Sequence, residues 1–326
     1  MQQQPAADGP GKRLDVFDIA RGLALLAMAV YHLSWDLSWF SLVDWQVATD
    51  PAWRAFAVSI ASSFLFLAGV SLALAHADGI RWRPALWRIA RIALAAAAIS
   101  LGTFFVLGDE FVRFGILHAI AAGSLVALPF VLAPPVFTLA VAFAVFVLPQ
   151  VVAVSFPGDA WAMWTGLTVS PPLSVDYVPL APWLAAILAG IAGLKIVRGR
   201  APWALLSRIR ANGRFSRMMA FAGRHSMIVY LLHQPILFGS VWAVVALGLV
   251  PDATDNAFLE QCAASCTLAG DGASCAQICN CTLDAMRADG AWDRLLDAPQ
   301  DPSLNAVLSE RYAACFETAS PARPGN

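Results

Sequence analysis

Seven apolar runs of near-membrane length dominate the chain, at about 21–42, 54–76, 86–107, 111–131, 134–155, 179–197 and 222–249. Roughly 20 apolar residues in a helix cross the hydrocarbon core of a bilayer, and in lipid only helices and closed barrels satisfy every backbone N–H and C=O. Runs this long favour helices. The fold class expected is therefore all-α, a polytopic membrane helix bundle with about seven transmembrane helices. Of the 326 residues, 59% are hydrophobic and 13% charged, with a mean hydropathy of +0.65, which excludes an ordinary soluble domain. Residues 1–13 are polar and Gly/Pro-rich, a disordered cytoplasmic segment by composition, without an apolar run ending in a cleavage site. The first helix is thus expected to direct insertion.

In a membrane protein the placement of Lys and Arg matters more than the net charge of −1. Fifteen of the 21 Lys and Arg fall on the N-terminal side of the bundle, from Lys12 and Arg13 through Arg81, Arg83, Arg88 and Arg91 to Arg214, Arg217 and Arg224. The positive-inside rule puts that side in the cytoplasm and, with seven spans, the C-terminus outside. All six cysteines, Cys262, Cys266, Cys275, Cys279, Cys281 and Cys315, lie in residues 251–326, beyond the transmembrane domain of 14–250. An even count confined to the segment outside the cytoplasm fits a small disulfide-stapled helical tail. Each Cys-x3-Cys pair sits on one helix face, so an antiparallel hairpin would join Cys262 to Cys279 and Cys266 to Cys275, leaving Cys281 for Cys315. Fifteen pairings are possible, and zinc is the competing use of such cysteines; the tail has no His to favour it.

The first span carries four ionisable residues, Asp18, Arg21, His32 and Asp36. At 100° per residue all four fall on or near one stripe, which climbs about 27 Å from Asp18 to Asp36. Charges at membrane depth cost several kcal/mol unless they face a protein interior or a wet cavity, so this stripe is expected to line a polar site. A carboxylate at i+4 from a His can fix the imidazole tautomer for general-base work, which makes His32 a base and Asp36 its orienter. The plainer reading makes Asp18 and Arg21 a solvated surface pair and His32 a structural group. Two other spans add polar residues: span four through Arg113-Phe-Gly-Ile-Leu-His118, span seven through Gly223-Arg-His-Ser-Met-Ile-Val-Tyr-Leu-Leu-His-Gln-Pro235. Tyr230 and His233 share a face there, Pro235 interrupts the hydrogen-bond ladder, and Gln234 can partner freed carbonyls. Three His at similar depth on different helices point to a shared site.

Arg21-x10-His32, within Asp18-x2-Arg-Gly-x9-His-x3-Asp36, resembles the opening motif of membrane-integral acyltransferases. Phe114-Gly-Ile-Leu-His118, Asp176-Tyr-x-Pro-Leu-x-Pro-Trp183 and the span-seven segment are similar to the bacterial branch of the heparan-α-glucosaminide N-acetyltransferase family, over about residues 13–240. In the animal enzyme the active-site His lies in the first outer loop; the corresponding loop here, Ser41–Ala52, has Asp44 and Asp50 and no His. The resemblance implies transfer of an acyl group, an acetyl group in the family pattern, from cytoplasmic acetyl-CoA to a sugar or glycan amine or hydroxyl outside. It also implies a multi-pass protein of the bacterial inner membrane, in which the tail that the arginine asymmetry and the cysteines place outside the cytoplasm is periplasmic; the tail itself is part of no family pattern.

On this reading His32, Asp36 and His118 are catalytic, with Arg113, Tyr230, His233 and Gln234 on the acceptor. Coenzyme A carries a 3′-phosphate and a pyrophosphate, so its expected dock is the basic cytoplasmic surface, with Arg21, Arg88, Arg91 and Arg224 as donor-binding residues. Positive-inside bias and contact with anionic membrane lipid account for such arginines equally well. No nucleotide fingerprint or metal motif occurs, so neither a metal nor a nucleic-acid partner is expected. A proton-coupled small-molecule transporter would also place His and Asp at the midplane, but it usually shows two related halves, and no repeat of the first-span motif is found. A haem cytochrome would need a facing His pair, for which His118 and His233 are the available choice.

Overall fold

The computed structural model describes residues 14–40, 42–152, 162–169, 172–249, 253–269 and 275–319. The polar segment 1–13, with Lys12 and Arg13, and Arg323 lie outside the described residues. The described chain is helical and has no strand: α1 (Asp15–Trp39), α2 (Pro51–Ala75), α3 (Trp82–Leu107), α4 (Ile116–Ala127), α5 (Pro135–Val151), α6 (Leu180–Val197), α7 (Ala201–Arg208), α8 (Arg214–Arg224), α9 (Ser226–Ala246), α10 (Ala253–Ala269), α11 (Cys275–Ala288), α12 (Ala291–Asp297) and α13 (Pro302–Ala319). It divides into two compact units, one formed by residues up to 36 and 45–238, the other by 37–44 and 239 onward. That division falls inside α9, ahead of the residue-250 boundary expected from composition.

Helices α1, α2, α3, α6 and α9 are long and apolar enough to cross a bilayer. At the places of the fourth and fifth expected spans stand two shorter apolar helices, Ile116–Val131 and Pro135–Val151. The fourth is short because residues 111–115 do not join it. Phe114 pairs with Tyr177 in an isolated parallel bridge, Val178 N–H donates to the Phe114 carbonyl at 2.8 Å, and Asp176 Oδ2 accepts the Ile116 N–H at 3.0 Å. A carboxylate on the first turn satisfies an orphan donor and suits the helix dipole, so α4 starts there. Its far end is closed by Lys195, whose Nζ donates to the carbonyls of Val131 and Ala133.

Helix α6 is the centre of the first unit. Ile187, Leu188, Ile191 and Ala192 are fully buried, and α6 packs against α2, α4 and α5. Because lipid is as apolar as leucine, burial alone does not drive such contacts; close backbone approach does. A Cβ on Gly190 would strike the Phe66 carbonyl and one on Gly69 the Ile187 carbonyl, so only glycine permits this α2–α6 crossing. At its N-terminal end α2 begins with Pro51 at N1 and the Asp50 carboxylate accepting the N–H groups of Ala52 (2.8 Å) and Trp53 (3.2 Å). Asp50 is thus a helix cap.

The expected seventh span is two helices. The ladder breaks at His225 (φ −103°, ψ 26°), where α8 stops and α9 starts. Arg214, Phe215, Met218, Phe221 and Arg224 of α8 are exposed while Met219, Ala220 and Gly223 are buried, the pattern of a helix lying along an interface. Helix α9 then continues through Pro235.

In the second unit, Cys262–Cys279 and Cys266–Cys275 staple α10 to α11, and Cys281–Cys315 ties α11 to α13. This is the outer-to-outer, inner-to-inner pairing that the spacing suggests for a hairpin. Around the staples, Leu283, Met286, Trp292, Leu295 and Leu304 form a small apolar core. Buried Asp255 anchors it, accepting from Trp292 Nε1 at 2.9 Å and pairing with Arg287.

Candidate active site

The stripe on α1 divides into two polar layers. In the lower one, towards the Arg-rich side, Arg21 Nη1 donates to Asp18 Oδ1 at 2.8 Å and Nη2 to Ser71 Oγ of α2 at 2.5 Å, while Ser71 itself donates to the Leu67 carbonyl. Asp18 is 5% exposed, and its second oxygen lies 3.9 Å from Arg224 Nε. Arg224 reaches it because α8 crosses α1 closely: a Cβ on Gly223 would meet the Asp18 carbonyl, and one on Gly22 the Met219 carbonyl. Arg21 and Asp18 are therefore an inter-helical brace and not a solvated pair. Arg88 of α3 lies within electrostatic range of Arg21, and both Arg88 and Arg91 are exposed.

The upper layer joins α1 to α9. The rings of His32 and His233 meet edge to face with centroids 5.0 Å apart, and Tyr230 lies 5.5 Å from His233. His233 Nδ1 is 2.6 Å from the Tyr230 carbonyl. A carbonyl can only accept, so Nδ1 carries the proton, and the neutral form of the ring has its lone pair at Nε2. Gln234 Nε2 donates to Asp36 Oδ1 at 2.8 Å, and Asp36 is 1% exposed. Three buried atoms of this layer, His233 Nε2, Asp36 Oδ2 and Gln234 Oε1, have no protein hydrogen-bond partner. Unpaired polar atoms concentrated at one buried place mark a site that bonds something other than the protein.

Asp36, the expected orienter of His32, lies in this layer with its hydrogen bond directed to Gln234. Neither carboxyl oxygen bonds the imidazole, because α9 brings an amide to Asp36 and a second imidazole to His32, so each finds its partner across the helix interface.

His118 does not join this layer either. Its Nδ1 accepts the Gly115 N–H at 3.2 Å and its Nε2 lies 3.4 Å from Ser100 Oγ, so both nitrogens serve the start of α4 and its contact with α3. An axial pairing of His118 with His233 has no ring nitrogen left for it on the His118 side. The Arg113 guanidinium is also engaged locally, donating to the carbonyls of Leu173 (3.3 Å) and Asp109 (3.1 Å) over the face of Phe111. These contacts hold the 109–113 and 173–178 loops together.

Two residues enter the picture that motif reasoning did not assign to a site. Ser71 completes the Arg21 brace, and a lone Ser in an apolar run carried no signal. Asp176 lies within electrostatic range of both Tyr31 and Tyr230, and burial pushes its carboxyl above the usual carboxylate range against the opposing Ile116 N–H. The signal for it was the Asp176-Tyr-x-Pro segment.

Comparison with known proteins gives one family. The family model described as Heparan-alpha-glucosaminide N-acetyltransferase, catalytic, matches residues 13–235, which takes in both polar layers and excludes the cysteine-rich tail. No curated protein and no solved structure matches the chain.

Proposed function

Because the chain belongs to the heparan-alpha-glucosaminide N-acetyltransferase family, a family of transmembrane acetyltransferases, we propose that it transfers an acetyl group from cytoplasmic acetyl-CoA to an amine or hydroxyl of a sugar or glycan outside. The observation that carries this reading is the His32–His233 pair, with a lone pair fixed at His233 Nε2 and unpartnered acceptors beside it. The acceptor nitrogen or oxygen attacks the thioester carbonyl, the C–S bond breaks, and coenzyme A leaves as the thiolate. The acceptor's proton passes to the imidazole pair and from there to the thiolate. His32 is singled out by the family motif and His233 by its defined tautomer, and the two rings act together. Asp36, through Gln234, holds α9 at the register that brings His233 to His32. Asp176 supports the same region from the outer loop.

The donor enters from the Arg21 layer. Eleven residues of helix separate Arg21 from His32, about 16 Å, so the arginine cannot touch the reacting carbonyl and acts on the phosphate-bearing end of the donor. His118 and Arg113 keep a supporting place, shaping the α4 entry. Membrane orientation follows the arginine asymmetry, with the tail periplasmic in a bacterial inner membrane.

The test uses purified protein in lipid nanodiscs with labelled acetyl-CoA and a panel of amino sugars and glycans. His32→Ala and His233→Ala should each lower the rate per folded molecule by about 100-fold or more, the usual size of a lost proton-transfer group. Near-normal turnover by a well-folded His32→Ala or His233→Ala protein removes that imidazole from the chemistry, and normal turnover by both removes the mechanism.

A further inference from the structure

A cavity of about 120 Å³ lies between α2, α3 and α4, lined by His76, Arg81, Arg88 and Ser124 together with apolar residues. It stands at the Arg-rich end of these helices. Arg81 is half committed: its Nη2 donates to the Ala75 carbonyl at 2.9 Å and its backbone N–H to His76 Nδ1 at 3.2 Å, which fixes it at the rim. Arg88 is different, since among the described residues it makes no hydrogen bond and no ion pair, while the charge nearest in effect is the like charge of Arg21. Arg21 is itself braced by Asp18 and Ser71, and Ser71 is the neighbour of Leu72, which lines the cavity. An unpaired guanidinium beside other cations in the membrane part of a protein is unfavourable, and an anion in the cavity relieves it.

Arg88 is exposed at this end of α3, where positive-inside bias accounts for an arginine; what points to an anion is its place in one cavity lining with Arg81, His76 and Ser124. At about 120 Å³ the cavity has room for a phosphate group. A phosphate monoester carries close to two negative charges and three free oxygens, a match for a lining that holds two arginines, a serine and an imidazole.

We propose that this cavity is a phosphate subsite that takes the 3′-phosphate of the acyl-CoA donor. The proposal rests on the acyl-CoA reading given above. A lipid headgroup phosphate has the same chemistry, and the experiment separates the two sources.

Coenzyme A and 3′-dephospho-coenzyme A are compared as ligands of the whole protein in nanodiscs of zwitterionic lipid. Loss of one charge-assisted phosphate contact weakens binding about tenfold or more, so the wild-type protein should prefer coenzyme A by that factor. In Arg88→Gln the preference should collapse to near unity, with dephospho-coenzyme A bound as before. Arg200→Gln, which removes a positive charge elsewhere on the same side, should retain the preference. Equal affinity of the wild-type protein for the two ligands overturns the subsite without touching the donor reading, and needs no variant to fold. If Arg88→Gln instead loses a co-purifying anionic lipid, detected by native mass spectrometry, while the nucleotide preference is unchanged, the cavity holds a lipid phosphate and the 3′-phosphate assignment falls. Failure of both nucleotides to bind removes the acyl-CoA reading itself.

Discussion

The Asp36–Gln234 contact makes a prediction that separates the inter-helical arrangement from one confined to α1. Asp36 is 1% exposed and accepts one hydrogen bond, at 2.8 Å, from Gln234 on α9, while its other oxygen has no protein partner. Replacing Gln234 by Leu strands a buried carboxyl group, which costs about 1–3 kcal/mol, towards the upper end if the carboxyl is ionised. At about 1.4 kcal/mol per factor of ten, the folded-to-unfolded ratio should drop about five- to 150-fold. Asp36→Leu alone strands the amide and costs a similar amount, whereas Asp36→Leu with Gln234→Leu removes both partners and should recover most of the loss. The double-mutant cycle should therefore show a coupling of about 1 kcal/mol or more, measured by unfolding in mixed micelles. Asp36→Asn tests the same point in the rate: it keeps an acceptor oxygen for Gln234, so turnover per folded molecule should fall less than in Gln234→Leu. A coupling near zero, together with Asp36→Asn inactive and Gln234→Leu normal, would falsify the inter-helical role and restore Asp36 as the direct partner of His32.

Four further outcomes are expected. His118→Ala should lower stability by about 0.5–2 kcal/mol, the range for a lost helix cap, with turnover per folded molecule nearly unchanged; a hundredfold loss of turnover in folded protein contradicts its local role. Arg21→Ala should raise the acetyl-CoA concentration needed for half-maximal rate more than the acceptor concentration, and steady-state kinetics with each substrate varied in turn reads the difference. Peptide mapping without reductant should recover Cys262–Cys279, Cys266–Cys275 and Cys281–Cys315, and after mild reduction a membrane-impermeant thiol reagent should label them in cells whose inner membrane is sealed; protection there reverses the orientation. The Ser303 hydroxyl and N–H hold the Asp301 carboxyl below the usual carboxylate range. Its lowered folded-state value means that its contribution is present above the ordinary carboxylate pKa and is lost as pH falls through the folded value, so hydrogen exchange at the start of α13 should speed up in acid and not between neutral and mildly alkaline pH.

Much of the molecule was readable from residue order because it depends on local properties. The apolar runs dictate membrane helices, since a bilayer leaves the backbone no other way to bond itself. The spacing of Cys262, Cys266, Cys275 and Cys279 suffices for a two-rung hairpin, because i, i+4 positions share a face whatever surrounds them. The same periodicity placed Asp18, Arg21, His32 and Asp36 on one stripe and Tyr230 and His233 on another. It could not say which stripe faces which, because a helical period fixes direction around one axis and carries nothing about the neighbour. That choice belongs to tertiary packing. The crossing of Gly22 and Gly223 brings Arg224 to Asp18, α9 supplies Gln234 to Asp36 and His233 to His32, and the Asp176 loop shortens α4 and leaves His118 to cap it. A polar side chain inside a membrane protein takes its role from whichever partner comes within hydrogen-bond reach, and only the folded arrangement of helices decides that.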